Sequence, residues 1–200
     1  MIAIIDYGMG NLGSVRKALT YLGYDSVITE SPAEALAANG LILPGVGAVS
    51  YAMQAMRAKG MDRVVNEYVA SGRPFLGICL GMQMLFDSSE EGDGTVKGLG
   101  ILPGRVLRFS AESGLKIPQI GWNNLTRVSH PALRKGDYVY FVHSFYCAPD
   151  RTEDIAATTQ YGIEYASAVA RDNILAMQFH PEKSGEVGLT ILNRWARRTR

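Results

Sequence analysis

The sequence predicts an α/β fold: a mostly parallel central sheet flanked by helices, with an antiparallel extension. Three observations predict it. In the first half, short apolar runs alternate with amphipathic stretches of helical period. The first-half runs, such as Leu41-Ile42-Leu43, read as strands buried on both faces of a parallel sheet. In the second half, strand-like runs follow one another across polar turns, the pattern of antiparallel pairing.

Each element follows from its residues. Ile2 to Asp6 reads as a buried strand. Asn11 is placed to N-cap a helix reaching about Leu22, with Val15, Ala18, Leu19 and Leu22 on one face. Ser26 to Thr29 is a second strand, and Ser31-Pro32 with Glu34 opens a second helix. The strand Leu41-Ile42-Leu43 ends at Pro44-Gly45-Val46-Gly47. Helices over Tyr51 to Arg57 and Met61 to Ser71 lead to the strand Phe75 to Ile78, followed by a helical run Met82 to Phe86. Strands are then expected at Ile101 to Phe109, Tyr138 to Phe141, Ile155 to Thr159, Tyr165 to Ala170 and Ile174 to Phe179. A last helix runs from about Ser184 to Arg197. No linker or internal repeat interrupts the pattern, so one domain over residues 1–200 is expected.

Composition narrows the function classes. Net charge is +1 over 200 residues, which gives no electrostatic case for nucleic acid or a membrane surface. The basic cluster Arg194, Arg197, Arg198 and Arg200 sits where cations suit a helix C-terminus. No apolar run approaches about 20 residues, and no cleavable leader is expected, so a cytoplasmic location is. The two cysteines, Cys79 and Cys147, are far apart and read as free thiols. No Cys/His set has metal-ligand spacing, and neither metal nor cofactor is expected.

The motif that carries most chemistry is Gly77-Ile78-Cys79-Leu80-Gly81, between an apolar strand and a helical run. It has the form of a nucleophile elbow, a sharp strand-to-helix turn that exposes a nucleophile. A thiol there meets a helix N-terminus, where the dipole and unpaired N–H groups favour thiolate. The Leu80 N–H can face a developing oxyanion. A base is then needed, and the chain has three histidines. His180 ends an apolar strand, where ligand crevices gather in open α/β sheets. Glu182, two residues on, can hold the other ring nitrogen. His130 reads as a surface residue and Cys147 as packing.

A rival stands beside this reading. Gly8-Met9-Gly10-Asn11-Leu12-Gly13 matches a dinucleotide-binding pattern after the first strand, with Glu30 placed like a ribose-binding acid. Such a match arises cheaply in a chain with 22 glycines, and it leaves Cys79, His180 and Glu182 unexplained. A non-catalytic scaffold is a further alternative.

Three stretches together resemble the signatures of class I glutamine amidotransferases: Pro44 to Gly47, Gly77 to Gln83, and Phe179-His180-Pro181-Glu182-Lys183-Ser184. Asp6 to Asn11, Gly121-Trp122-Asn123, Tyr140 to Phe145 and the His180 stretch resemble, more narrowly, the glutaminase subunits of imidazole glycerol phosphate synthases. A sister amidotransferase serving another synthase is the nearest rival within the enzyme class. The resemblance implies a Cys79, His180, Glu182 triad, oxyanion donors at Val46, Gly47 and Leu80, and a class I amidotransferase-like fold. Gln83 and Glu91 resemble residues that hold the α-carboxylate and α-amino ends of glutamine, and a carboxylate suits the ammonium. Ser144 and Phe145 would complete the pocket through their backbones. Trp122, Asn123, Tyr140 and Lys183 resemble residues that dock a (β/α)8-barrel cyclase in a heterodimer. Ammonia would pass along a sealed path to that cyclase, which makes imidazole glycerol phosphate and AICAR in histidine biosynthesis. The loop Pro44 to Gly47 would serve as a switch, its glycines easing a peptide flip. Two positions depart from the resemblance: Gln119 where histidine is common, and Phe145 where tyrosine is.

Overall fold

The computed structural model describes residues 1–92, 96–110 and 114–200. In chain order the strands are β1 (Ile2–Ile5), β2 (Ser26–Thr29), β3 (Gly40–Leu43), β4 (Phe75–Ile78), β5 (Phe86–Ser89), β6 (Val96–Lys97), β7 (Leu102–Arg108), β8 (Gln119–Asn124), β9 (Arg127–Val128), β10 (Tyr138–His143), β11 (Phe145–Pro149), β12 (Ile155–Tyr161), β13 (Ile163–Arg171) and β14 (Ile174–Met177). The helices are α1 (Leu12–Tyr21), α2 (Pro32–Ala37), α3 (Val49–Ala58), α4 (Met61–Ala70), α5 (Leu80–Gln83) and α6 (Gly185–Ala196).

The strand order β2-β1-β3-β4-β14 is parallel throughout. From β14 the sheet turns antiparallel, through β13, β11 and β7. A separate antiparallel pair, β8 and β10, runs from Gln119 opposite His143 to Asn124 opposite Tyr138. Successive residues of β1 enter opposite cores. Ala3 and Ile5 pack with α2, α3 and α4, while Ile2 and Ile4 pack with α1 and α6. The parallel strands are therefore apolar on both faces, as their sequence implied.

Differences from the sequence reading have local causes. The helix after the elbow is one turn, Leu80–Gln83, and Phe86 already begins β5. Met84, Leu85 and Phe86 are all fully buried, and continuous apolarity does not separate helix from strand. Asn11 occupies the cap position of α1, but its side chain makes no capping bond. Ser31 does cap α2, accepting from the Glu34 N–H at 3.4 Å. Strands β8 and β11 were not read as elements. Strand β8 carries a glycine and two asparagines, and β11 is a short run ending in proline, so neither shows a sustained alternation of apolar and polar residues.

The topology fixes where chemistry can sit. The C-terminal ends of β3, β4 and β14 lie side by side, and they deliver the Pro44–Ala48 loop, Cys79 and His180 to one edge.

Candidate active site

Cys79 follows β4 directly and has φ 55°, ψ −109°, a strained left-handed backbone for a residue with a side chain. The strain is held by packing on both sides. A Cβ on Gly81 would lie 1.8 Å from the Leu43 carbonyl oxygen, and one on Gly77 would lie 2.9 Å from the Ala176 Cβ. The glycines are thus required by neighbouring strands, β3 and β14, more than by the thiol itself. The Cys79 N–H donates to the Met177 carbonyl at 2.7 Å, and its carbonyl accepts from Met82 and Gln83 at 2.9 and 3.2 Å. Leu80 therefore opens a helix, and its N–H is among those with no partner inside it. With one turn only, α5 has a smaller dipole than the sequence suggested.

His180 lies just beyond β14. Its Nδ1 is 2.8 Å from Glu182 Oε1, and both side chains are almost wholly buried. Burial works against the imidazolium, yet Cys79 and Glu182 outweigh it and lift the ring to about 10. Its Nε2 finds no well-formed hydrogen bond among the described residues. Cys79 is thus near enough to act on the ring without satisfying it, which leaves Nε2 available to a reacting group.

A cavity of about 400 Å3 opens above these residues. Cys79, His180, Leu80, Val46, Gly47, Gln83, Glu91, Ser144, Phe145 and Lys183 all line it. Glu182 stands behind His180. Trp122, Asn123 and Tyr140 lie outside the cavity lining. Trp122 is 47% exposed, stacked on Tyr138 at 5.9 Å and edge-on to Tyr140 at 6.0 Å. Asn123 Nδ2 donates to the Gln160 carbonyl at 3.0 Å. Trp122, Tyr138 and Tyr140 share one face of the β8–β10 pair with exposed Ile120, whereas Asn123 alternates to the other face of β8.

Three further details bear on the cavity. Tyr7 Oη donates to the Pro44 carbonyl at 3.0 Å and crowds Gly45, where any Cβ would meet it at 2.4 Å. Gly47 has φ +91°, so the two loop glycines serve different needs, close approach and left-handed backbone. Beyond the loop, the Val49 N–H, first in α3, donates to Glu91 Oε2. Burial holds the Glu91 carboxyl above its ordinary range, and that backbone bond opposes the shift.

Gln83 lines the cavity with its amide nitrogen already engaged. Its Nε2 donates to the Phe145 carbonyl at 3.2 Å and to Gln178 Oε1 at 3.0 Å. Both amide protons are spent, so only an acceptor remains for a ligand, which suits an N–H group and not a carboxylate. His143 and Gln178 were not singled out as site residues. A buried glutamine inside the apolar run Leu175 to Phe179 was the available signal for the second.

The other sequence features fall elsewhere. The Gly8 N–H donates to Asp6 Oδ1 at 2.8 Å, Gly10 packs on Pro44, and Glu30 pairs with Lys59 at 3.2 Å. Cys147 is fully buried and its thiol is pushed well up by burial. His130 is half-buried, with its ring lowered by burial and by Arg198. Gln119 is buried and accepts from Tyr165 Oη at 3.0 Å. No group of three metal-ligating side chains converges among the described residues. None of the described helices is long and apolar enough to cross a membrane.

Residues 3–197 match the family glutamine amidotransferase class-I. The chain belongs to that family. Among the relatives of this amidotransferase is imidazole glycerol phosphate synthase subunit HisH of Desulfitobacterium hafniense. The two are 51% identical over 201 residues, 98% of this chain and 94% of that one. HisH of Chlorobaculum tepidum is 47% identical over 98% of this chain and 99% of its own length. The chloroplastic imidazole glycerol phosphate synthase hisHF of Arabidopsis thaliana is 47% identical over 98% of this chain, which spans 34% of that larger protein. Among solved structures, one of a glutamine amidotransferase superposes with TM-score 0.78 at 18% identity, covering 100% of this chain and 99% of that one. PurLQS from Thermotoga maritima gives 0.70 at 19% identity, over 98% of this chain and 97% of its own. At that identity the superpositions speak for the fold alone.

Proposed function

We propose that the chain acts, as one amidotransferase domain in the cytoplasm, as the glutaminase subunit of an imidazole glycerol phosphate synthase. It hydrolyses glutamine and passes ammonia to a (β/α)8-barrel cyclase partner in a heterodimer. The observation that carries this is the buried His180–Glu182 pair beside Cys79 on its elbow, opening into one cavity. Near-half identity to HisH proteins along almost the whole chain supplies the choice of synthase.

The reaction follows from the geometry. Glutamine enters the cavity with its ammonium toward Glu91, whose carboxylate is half-buried and charge-complementary. The Cys79 thiolate attacks the side-chain amide carbon. The oxyanion is met by N–H groups of Leu80 and of the Val46–Gly47 segment. Ser144 and Phe145 close the pocket through their backbones. His180 gives its proton to the departing ammonia, then takes one from water as that water cleaves the γ-glutamyl thioester. Glu182 holds the ring by Nδ1 throughout and stabilises the imidazolium that precedes the first transfer and follows the second. Ammonia is useful downstream only unprotonated, so a sealed path to a second active site is required. Trp122 and Tyr140 supply the docking face, with Asn123 on the other side of the same strand and Lys183 at the cavity beside it.

The test mixes purified chain, glutamine and the candidate cyclase, and measures glutamate release with the chain alone, with free cyclase and with liganded cyclase. Release that rises with the liganded cyclase supports the reading, and none under any condition overturns it. Cys79→Ala is expected to abolish glutamine-dependent synthesis while synthesis from added ammonium continues in the partner.

A further inference from the structure

Gln178 takes no part in the reaction described above, yet it touches its nucleophile. The side chain is fully buried just past the end of β14. A buried amide persists where its donors and acceptor are partnered. Here Nε2 donates to Cys79 Sγ at 3.6 Å, and Oε1 accepts from Gln83 Nε2 at 3.0 Å.

The direction of this chain is fixed by chemistry. Amide oxygen and nitrogen are interchangeable in shape, so their orientation must come from a partner of fixed polarity. That partner is the Phe145 carbonyl, which only accepts. It takes the Gln83 Nε2 at 3.2 Å. Gln83 therefore turns nitrogen toward Gln178, Gln178 turns oxygen back, and its own nitrogen faces the sulfur. His143 Nδ1 lies 2.7 Å from the same carbonyl and so carries its proton. Burial, the main cause, holds that ring neutral by pushing it down to about 4. One backbone oxygen thus sets the polarity of a buried path that ends at Cys79.

We propose that Gln178 is a further residue of the glutaminase site, whose amide N–H holds the Cys79 sulfur, favours thiolate over thiol, and locks Gln83 in the orientation that substrate meets. A thiolate accepts hydrogen bonds far better than a thiol, so a fixed donor discriminates between them. The one-turn α5 supplies little dipole, and a side-chain donor compensates. Unlike His180, Gln178 has no proton to surrender, so its N–H is in place whenever the sulfur carries charge, before acylation and again as the thioester breaks. The other ionisable groups that bear on the sulfur are Tyr7, Cys147 and His180 backed by Glu182, with Glu91 and Lys183 around the cavity. Substitution at 178 leaves all of them in place.

The inference rests on Cys79 being the nucleophile, and its test separates the two. Gln178→Met keeps length and removes the donor; Gln178→Glu keeps shape and turns a charge toward the sulfur. Two readouts are taken: kcat and KM for glutamine in the complex with cyclase, and the pH profile of Cys79 alkylation by iodoacetamide, mapped by peptide mass. Loss of the donor to the thiolate predicts kcat at neutral pH lower by about 10-fold for Gln178→Met with KM little changed, the fall that matches a rise of about one pH unit in the thiolate midpoint. The alkylation midpoint should rise by about one pH unit for Gln178→Met and further for Gln178→Glu. Lower melting temperature with unchanged kcat and midpoint would mean packing alone and overturns the proposal. A readout free of substitution guards against misfolding: the Gln178 side-chain amide protons of the wild type, followed by NMR, should shift with the same midpoint as alkylation. Signals that stay fixed across that midpoint overturn it as well. Glutaminase activity surviving in Cys79→Ala removes the functional reading itself. An inactive Cys79→Ala beside a fully active Gln178→Met removes only the role given to Gln178.

Discussion

His180 and Tyr140 are joined through their backbones: the His180 N–H donates to the Tyr140 carbonyl at 3.0 Å. Ser184 Oγ completes the clasp, accepting from the Tyr140 N–H at 2.9 Å and donating to the His180 carbonyl at 2.6 Å. Tyr140 also abuts exposed Trp122, so the aromatic face and the imidazole are a few bonds apart. Ser184→Ala is expected to leave cyclase affinity near wild type and to cut partner-stimulated glutaminase roughly 5-fold or more. Calorimetric titration and glutamate release measure the two separately; equal stimulation in both proteins would dismiss the clasp as a route.

Trp122 is the anchor expected of a docking face, large, aromatic and presented on a paired strand. Trp122→Ala should weaken the complex by about 30-fold, the scale of a 2 kcal/mol hot spot, with little change in the melting temperature of the free chain. Full affinity in that variant would move the interface elsewhere.

The His180–Glu182 pair carries a pH signature. Burial lowers the ring's affinity for its proton, but Cys79 and Glu182 raise it by more, so that on folding it goes from 6.5 to about 10, with Glu182 supplying part of the rise. A raised value means the contribution to stability is fully present below about pH 6.5 and is lost as pH climbs through about 10. The stability gap between wild type and Glu182→Gln in urea unfolding should therefore be wide at pH 6 and narrow at pH 10. A gap that widens with pH contradicts the charged pair. In kinetics, His180→Ala should lose turnover by roughly 100- to 10,000-fold and Glu182→Gln by less, because the base remains.

Gly81→Ala tests the elbow's packing. The added methyl collides with the Leu43 carbonyl, which belongs to a central strand and cannot swing aside. Destabilisation of about 3 kcal/mol or more is expected, beyond the usual range for overpacking. Chemical denaturation reads it directly, and a change under 1 kcal/mol would show that β3 yields.

The parallel half of the fold was legible because its strands are apolar on both faces and its helices amphipathic. Phe75–Ile78 was placed to the residue for that reason. Strands β8 and β11 were not, since Gly121, Asn123 and Pro149 are poor strand formers whose pairing is decided by partners remote in sequence. Cys79, His180 and Glu182 were legible from chemistry at fixed spacing. Gln83 is legible as a site residue, but the direction of its amide is not, because that depends on Phe145, 62 positions away.

The loop between β3 and α3 is pinned at each end, by Tyr7 on the Pro44 carbonyl and by Glu91 on the Val49 N–H. Only Gly45 to Ala48 lie between the pins, too short a span to swing as a lid. Any rearrangement there is a rotation of one or two peptide planes, a motion of nanoseconds to microseconds. Turnover at about 1 to 1,000 per second is slow beside it. The loop would then act as a rheostat: a partner sets activity by changing the fraction of time spent in the competent orientation, and the speed of the rotation never limits the rate.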